Sequence, residues 1–373
     1  MTARRMTHSR ARLPVPRDRF VPSVIWMENP VGDGFTPVSR TDDEARWRAL
    51  VEADEPIVTQ VDDGRAPPNG VGLRPSSSCS QPSLVAAMLE ELDVRAGHRV
   101  LEIGTGTGWN AALLAERVGP RGRVVSVEVD SEVAGRARAR LLRAGYSPLV
   151  VTADGLAGHP PAAPYDRVIC TASVRRIPRA WIEQTQAGGM IVTPWGTDYG
   201  DDALTRWEVR EDGSASGRCG TSLAFMRLRD QRRDFLEPSE REIGAADSTV
   251  TRRGGRELFE MVSFAHASFT IGLRVPNCYV TVEDLDADHR DVELHDARST
   301  SWARVELVRG RHPWTVRQLG PRSLWDEVDT AHRWWVDAGK PAPERYELTV
   351  SPDGTHAVRL DTPSGPHRWS VAA

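Results

Sequence analysis

The chain has 373 residues, enough for two domains with a sizeable buried core. Its net charge of −4 argues against nucleic acid as the main partner, because phosphate binding needs a basic surplus. No apolar run approaches the roughly 18 residues that a spanning helix needs, so the expectation is a cytoplasmic protein that does not enter a membrane.

The N-terminal MTARRMTHSRARLPVPRDRF is basic and lacks the apolar centre of a signal peptide. PIVTQVDDGRAPPNGVGLRPSSSC (56–79) is rich in Gly, Pro and Ser and reads as a loop. QPSLVAAMLEELDV then places Leu84, Val85, Met88, Leu89 and Leu92 on roughly one helical face. From residue 98 the pattern changes period repeatedly. HRVLEIG, RVVSVEVD, PLVVTADG, YDRVICTAS and MIVTPWG read as strands. NAALLAERVG, SEVAGRARARLLRAG and IPRAWIEQTQAGG read as helices with glycine stops, the second capped by Ser131. Arg136, Arg138, Arg140 and Arg143 on that second helix read as a solvated face. Such alternation predicts an α/β fold with a parallel, doubly wound, Rossmann-like sheet. LTRWEVREDGSASGRCGTSLAFMRLR follows as two strands, an antiparallel edge to that sheet.

After residue 235 the texture is β-rich. ASFTIGLRV, CYVTVEDL, SWARVEL, RYELTVSPDGTHAVRLD and HRWSV read as strands, and SLWDEVDTAHRWWVDAG as the one clear helix. Trp334 and Trp335 are expected to pack a core or a domain seam. The organisation expected is 1–75 as N-terminal segment and substrate loop, 76–235 as the cofactor domain, and 236–373 as a smaller β-rich C-terminal domain. The four cysteines stand far apart and the ten histidines form no HxxxH or HExxH array, so neither a disulfide framework nor a metal site is expected.

VLEIGTGTGWN (100–110) carries the chemistry. A dinucleotide loop would read GxGxxG, but Trp109 occupies the third glycine position and the spacing is GxGxG through Gly104, Gly106 and Gly108. Glu102 lies two residues ahead, where a pyrophosphate would meet like charge and an ammonium would be attracted. Glu128 ends the next strand, placed to accept hydrogen bonds from a ribose diol, and Asp154–Gly155 ends the third, placed for an adenine amino group. Three acids at three successive strand ends favour S-adenosylmethionine, a cation without phosphate.

These segments resemble the protein-L-isoaspartate O-methyltransferase family. VPRDRFVP (15–22) is similar to its N-terminal segment, SQPSLVAAMLE (80–90) to its active-site serine and the helix behind it, and VLEIGTGTGWNAALLA to its cofactor motif. APYDRVICTASVRRIP (163–178) and GGMIVTPWG (188–196) resemble its later motifs. The resemblance implies a class I S-adenosylmethionine-dependent methyltransferase acting on an aspartyl or isoaspartyl carboxylate of a peptide or protein. Ser80 would orient the acceptor; a serine before a helix beginning at Pro82 could equally cap it. Cofactor contacts are implied for Ser78, Gln81, Glu102, Ile103, Gly104, Thr105, Gly106, Asn110, Glu128, Val129, Asp154, Gly155 and Thr171. Substrate contacts are expected from Thr59, Gln60, Asp62 and Ser173, with Asp63 beside them. Trp109 is placed to shield the methionyl part from water.

Two departures matter. Repair enzymes of the family end soon after the strand matching SLAFMRLR, whereas this chain continues, and Ser78 and Cys79 stand where threonine and isoleucine are common. Both features resemble a branch that accompanies peptide maturation in actinobacteria, including ATP-grasp and lanthipeptide systems. That branch implies esterification of one precursor peptide and collapse of the ester to a succinimide (aspartimide). The alternatives are a general isoaspartyl repair enzyme, a small-molecule O-methyltransferase on the same fold, and a non-catalytic cofactor-binding module.

Overall fold

Short valine-rich runs separated by amphipathic helices do form a parallel sheet, buried on both faces. The computed structural model describes residues 13–30, 34–66, 70–200, 202–263, 266–361 and 367–371. Residues 1–12 of the basic N-terminal segment and 67–69 of the Gly/Pro-rich stretch lie outside the described residues. The chain divides into two compact units: Met1–Ala172 with Pro178–Thr193 and Glu208–Gly213, and Ser173–Ile177 with Pro194–Trp207 and Ser214–Ala373.

In the first unit the elements run β1 (Val24–Glu28), β2 (Phe35–Ser39), α1 (Glu44–Glu52), β3 (Ile57–Val61), β4 (Pro75–Cys79), α2 (Pro82–Leu92), β5 (Arg99–Ile103) and α3 (Trp109–Val118). There follow β6 (Arg123–Glu128), α4 (Ser131–Ala144), β7 (Leu149–Thr152), β8 (Tyr165–Cys170), α5 (Arg179–Glu183) and β9 (Thr185–Trp195), the last as far as Thr193. The parallel strands lie in the order β9-β8-β5-β6-β7. Val100, Leu101, Ile103, Val125, Val127, Val168 and Ile169 are buried, the pattern of a sheet covered on both faces. Gly119 and Gly145 end α3 and α4 with positive φ, as their positions predict.

Three local expectations are corrected. α4 is capped by the Asp130 carboxylate, which accepts from Glu132 N and Val133 N; Ser131 is already the first helical residue. The helix read into IPRAWIEQTQAGG stops at Glu183, and TQAGG belongs to β9, whose pairing with β8 shifts register between Tyr165 and Arg167. Within 56–79 the described residues form strands: β3 and β4 pair antiparallel in a second sheet of order β2-β1-β3-β4.

The second unit holds β10 (Asp202–Val209) as far as Trp207, and β11 (Ala215–Leu223), then α6 (Glu240–Gly244), β12 (Asp247–Thr251), α7 (Gly255–Val262) and α8 (His266–Arg274). β13 (Cys278–Asp284), β14 (His289–Asp296), β15 (Trp302–Val308), β16 (Trp314–Leu319), α9 (Leu324–Asp337), β17 (Tyr346–Val350), β18 (His356–Leu360) and β19 (Arg368–Ser370) complete it. β12-β16-β15-β14-β13 form an antiparallel sheet. Its core joins Val292, Val305 and Val316 to Met261, Ile271, Val328 and Trp335 from α7, α8 and α9, with Trp334 packed against it. ASFTIGLRV, read as a strand, is α8, buried on every side from Ala267 to Leu273. β11 is no edge either, because β17 pairs with it from Ala215↔Val350 to Arg218↔Glu347.

One buried arginine organises the first unit. The Arg17 guanidinium donates to the carbonyls of Val51 at the end of α1, of Ala53 and Glu55 beyond it, and of Cys79 and Ser80. Arg17→Met would leave these carbonyls without their donor, a loss of roughly 3 kcal/mol. Urea unfolding measures it, and a change below the noise of the midpoint would contradict the role.

Candidate functional site

The glycine loop is built by backbone conformations that side chains resist. Gly104, Gly106 and Gly108 all have positive φ (+89°, +53° and +89°). Gly106 is also short of space: a Cβ there would stand 3.3 Å from the Ser78 carbonyl oxygen. That contact brings the β3–β4 hairpin, which runs on to Ser80, against the loop.

Beneath the loop lies Glu102, fully buried at 0% exposure. One oxygen accepts from Asn110 Nδ2 at 2.7 Å, and the other accepts from the Ser126 hydroxyl, which lies 2.6 Å from Thr105 Oγ1. Burial pushes its pKa up to about 7, against the hydrogen bonds from Ser126 and Asn110, with Glu128 adding repulsion. Glu102 therefore supports the loop from behind, and its oxygens are not presented outward as the sequence suggests. The Glu128 carboxylate accepts from Gly106 N at 2.9 Å and Asp130 N at 3.2 Å; a carboxylate can accept about four hydrogen bonds, so these do not exhaust it. Asp154 is exposed and accepts from Leu156 N at 2.8 Å. Thr171 donates to the Gly104 carbonyl at 2.7 Å and lies behind the first glycine.

S-adenosylmethionine presents an ammonium, a sulfonium, a ribose diol and an adenine amino group. The residues fit it. Glu102 and Glu128 stand at the C-terminal ends of β5 and β6 and Asp154 just beyond β7, and the buried Asn110 Oδ1 has no partner among the described residues. Ile103 and Thr105 are buried around the loop, Gly155 is buried beside Asp154, and Val129 is exposed beyond Glu128. Trp109 is buried too, but its indole N–H donates to the Val15 carbonyl at 3.0 Å, tying the N-terminal segment to α3.

Ser80 is not the cap of α2. Its main-chain carbonyl is held by Arg17 at 2.9 Å, while its hydroxyl makes no hydrogen bond among the described residues. The cap comes from Asp54, which accepts from Ser83 N at 2.8 Å; Gln81 Nε2 reaches Ser83 Oγ at 3.1 Å. Sequence reading missed both Arg17 and Asp54. Arg17 sits inside VPRDRFVP, so the segment carried a signal although the role did not; Asp54 carried none.

The substrate candidates divide. Thr59 lies on β3 with its hydroxyl 3.4 Å from Ser77 Oγ. Gln60 instead bonds Asp130 Oδ2 and Ser76 Oγ. Asp62 holds the turn by accepting from Leu73 N and Arg74 N, and Asp63 follows it with positive φ. Gln60 and Asp62 thus shape the hairpin rather than offer free groups. Ser173 belongs to the second unit and is fully buried.

The sheet, the GxGxG loop and the acids at the strand ends define an S-adenosylmethionine-dependent methyltransferase. Residues 68–233 match the family model described as Protein-L-isoaspartate(D-aspartate) O-methyltransferase (PCMT). A protein-L-isoaspartate O-methyltransferase of Methanopyrus kandleri is 36% identical over 61% of this chain and 85% of its own length. One from Ignicoccus hospitalis is 46% identical over 34% of this chain, and the match takes in only 60% of that protein. The chain belongs to the protein-L-isoaspartate O-methyltransferase family. A solved structure titled protein-L-isoaspartate O-methyltransferase shares the fold over 94% of this chain and 93% of its own, with a TM-score of 0.50 and 21% identity. The continuation beyond SLAFMRLR is therefore shared, as a fold, with that structure.

Glu102 yields a pH prediction with a definite sign. Its folded pKa of about 7 exceeds the ordinary 4.5, so the folded state holds the extra proton between those values and stability falls as pH rises through them. Glu102→Gln would remove that share of the fall. The difference in urea midpoint between the two proteins, followed across that range, should shrink toward low pH; a constant difference would contradict it.

Proposed function

We propose that the chain is a carboxyl O-methyltransferase that esterifies an aspartyl or isoaspartyl carboxylate in one dedicated, ribosomally made peptide in the cytoplasm. The observation that carries this reading is Ser80. Its backbone is clamped by Arg17, its hydroxyl is uncommitted, and its strand touches the glycine loop through Ser78.

When bound, S-adenosylmethionine supplies a methyl group on a sulfonium and leaves as S-adenosylhomocysteine. Glu128 and Asp154 would hold its ribose and adenine ends, with Asn110 and the charge of Glu102 toward the ammonium. Ser78, Gln81, Ile103, Thr105, Val129, Gly155 and Thr171 would wall the pocket. Ser80 donates to the acceptor carboxylate and fixes its direction, and Thr59 lies along its approach. No general base is required, because a carboxyl with a reference pKa near 4 is ionised at about pH 7. What the protein contributes is alignment and exclusion of water. The ester then reacts within the substrate: the following backbone nitrogen attacks the ester carbonyl, methoxide leaves with the amide proton as methanol, and a succinimide remains.

The PSSSC lead-in to Ser80 supports a dedicated acceptor, and the domain at 236–373 is assigned the peptide contact. General isoaspartyl repair is the second reading, favoured by the 36% identity to the protein-L-isoaspartate O-methyltransferase of Methanopyrus kandleri over 85% of that protein.

Mass spectrometry separates the two. A dedicated enzyme should methylate a cyclised precursor and leave a generic isoaspartyl peptide nearly untouched, whereas efficient conversion of the generic peptide would establish repair. On either reading Ser80→Ala should lower turnover about a hundredfold. Cofactor affinity, measured by calorimetry, should stay unchanged; unaltered turnover would remove Ser80 from the site.

A further inference from the structure

The arginines of α4 do not all face open solvent. Arg136, Arg140 and Arg143, one helical turn apart, line a cavity of about 870 Å³ together with Arg19, Arg40 and Thr59. Val24, Trp26 and Pro37 of β1 and β2 form part of its wall. Five arginines thus meet there against the lining carboxylates Asp18 and Asp42. Two of the five are neutralised nearby, Arg136 by Glu132 at 2.8 Å and Arg40 by Glu44 at 2.9 Å. Arg19, Arg140 and Arg143 make no ion pair or side-chain hydrogen bond among the described residues. Arg140 is the telling member. It is half-buried, and its pKa is lowered by that burial and by repulsion from Arg136 and Arg143. A desolvated cation among like charges is costly unless an anion neutralises it.

We infer that this cavity is a docking groove for an acidic stretch of the polypeptide substrate, outside the carboxylate that is methylated. The inference rests on the proposed polypeptide acceptor. The groove is continuous with the acceptor side: Thr59 lines it, and β3, which carries Thr59, pairs with β4, which leads to Ser80. Planar guanidinium groups suit carboxylates in bidentate fashion. The aromatic and proline wall suits the aliphatic stems of glutamate side chains or the backbone between them. A net charge of −4 disfavours a nucleic acid as the occupant, since it would repel a long polyanion at every point beyond the groove.

The test uses the full chain and two fluorescently labelled isoaspartyl peptides, one flanked by glutamates and one by glutamines. Anisotropy should show roughly tenfold tighter binding of the glutamate peptide at low ionic strength, an advantage that salt removes. The double variant Arg140→Gln/Arg143→Gln should lose that advantage while keeping cofactor affinity, turnover at saturating peptide and urea midpoint. Persistence of the advantage in the variant, or equal binding of both peptides by the native chain, overturns the groove. Displacement of the glutamate peptide by a single-stranded oligonucleotide at lower concentration than by unlabelled peptide would overturn the peptide assignment. Methylation is scored separately. Variant-sensitive binding of the acidic peptide without methylation of any peptide would keep the groove and reject the proposed function. Methylation without variant-sensitive binding would do the reverse.

Discussion

The glycine loop depends on burying Glu102. A carboxylate with no exposed surface and no cationic partner must be satisfied by hydrogen bonds, and here Asn110 and Ser126 supply them. Each partner comes from a different element, α3 or β6, so satisfying this one side chain fixes how the loop joins β5 to the helix. The first turn of α3 adds the favourable end of its dipole, because Asn110 is its second residue. The glycines follow from the same constraint: a chain that must turn over Glu102 and still start a helix at Trp109 passes through three left-handed positions. The burial also leaves the loop responsive to its ligand. A raised pKa means the ionised form is held at a cost, and a cation above the loop relieves that cost.

The acceptor side is assembled differently. Ser80 is held through its own carbonyl by Arg17, 63 positions earlier, and the following helix is capped by Asp54, 29 positions before Ser83. The β3–β4 hairpin is tied to the cofactor side by Gln60 on Asp130 and by the close approach of Ser78 to Gly106. The glycine loop is therefore a local structure, and the surroundings of Ser80 are a tertiary one.

That difference explains what could be read from the sequence. The strands of the parallel sheet announce themselves because burial on both faces demands unbroken runs such as RVVSVEVD, and glycine stops are required by backbone geometry. The loop is legible for the same reason. The hairpin at 57–79 was hidden by composition: Ser, Pro and Gly read as loop, and only pairing with β1 and β3 makes strands of them. α8 was hidden by its own burial, since a helix covered on every side has no polar stripe, and its Phe, Thr and Ile favour strands locally. Arg17 and Asp54 act through main-chain partners remote in sequence, a kind of contact that no spacing records. The arginines of α4 fit a solvated face by spacing alone, and the sheet that turns part of that face into a cavity wall lies a hundred residues away.

On the proposed function, the first unit sorts its two substrates by charge. The methyl donor is a cation and meets Glu128 and Asp154 at the strand ends, with the buried Glu102 behind the loop; the acceptor is an anion and approaches along a wall where arginines outnumber acids. Transfer of the methyl group cancels the sulfonium against the carboxylate, so charge decreases along the reaction. An environment of low dielectric then favours the transition state over the separated ions, since less charge remains to be solvated. The burial of Trp109 and of the loop before it serves that end, and no base is needed because the acceptor carboxyl is already ionised. The chemistry asks only that opposite charges be brought into line and kept dry, which a rigid loop on one side and a clamped serine on the other can do.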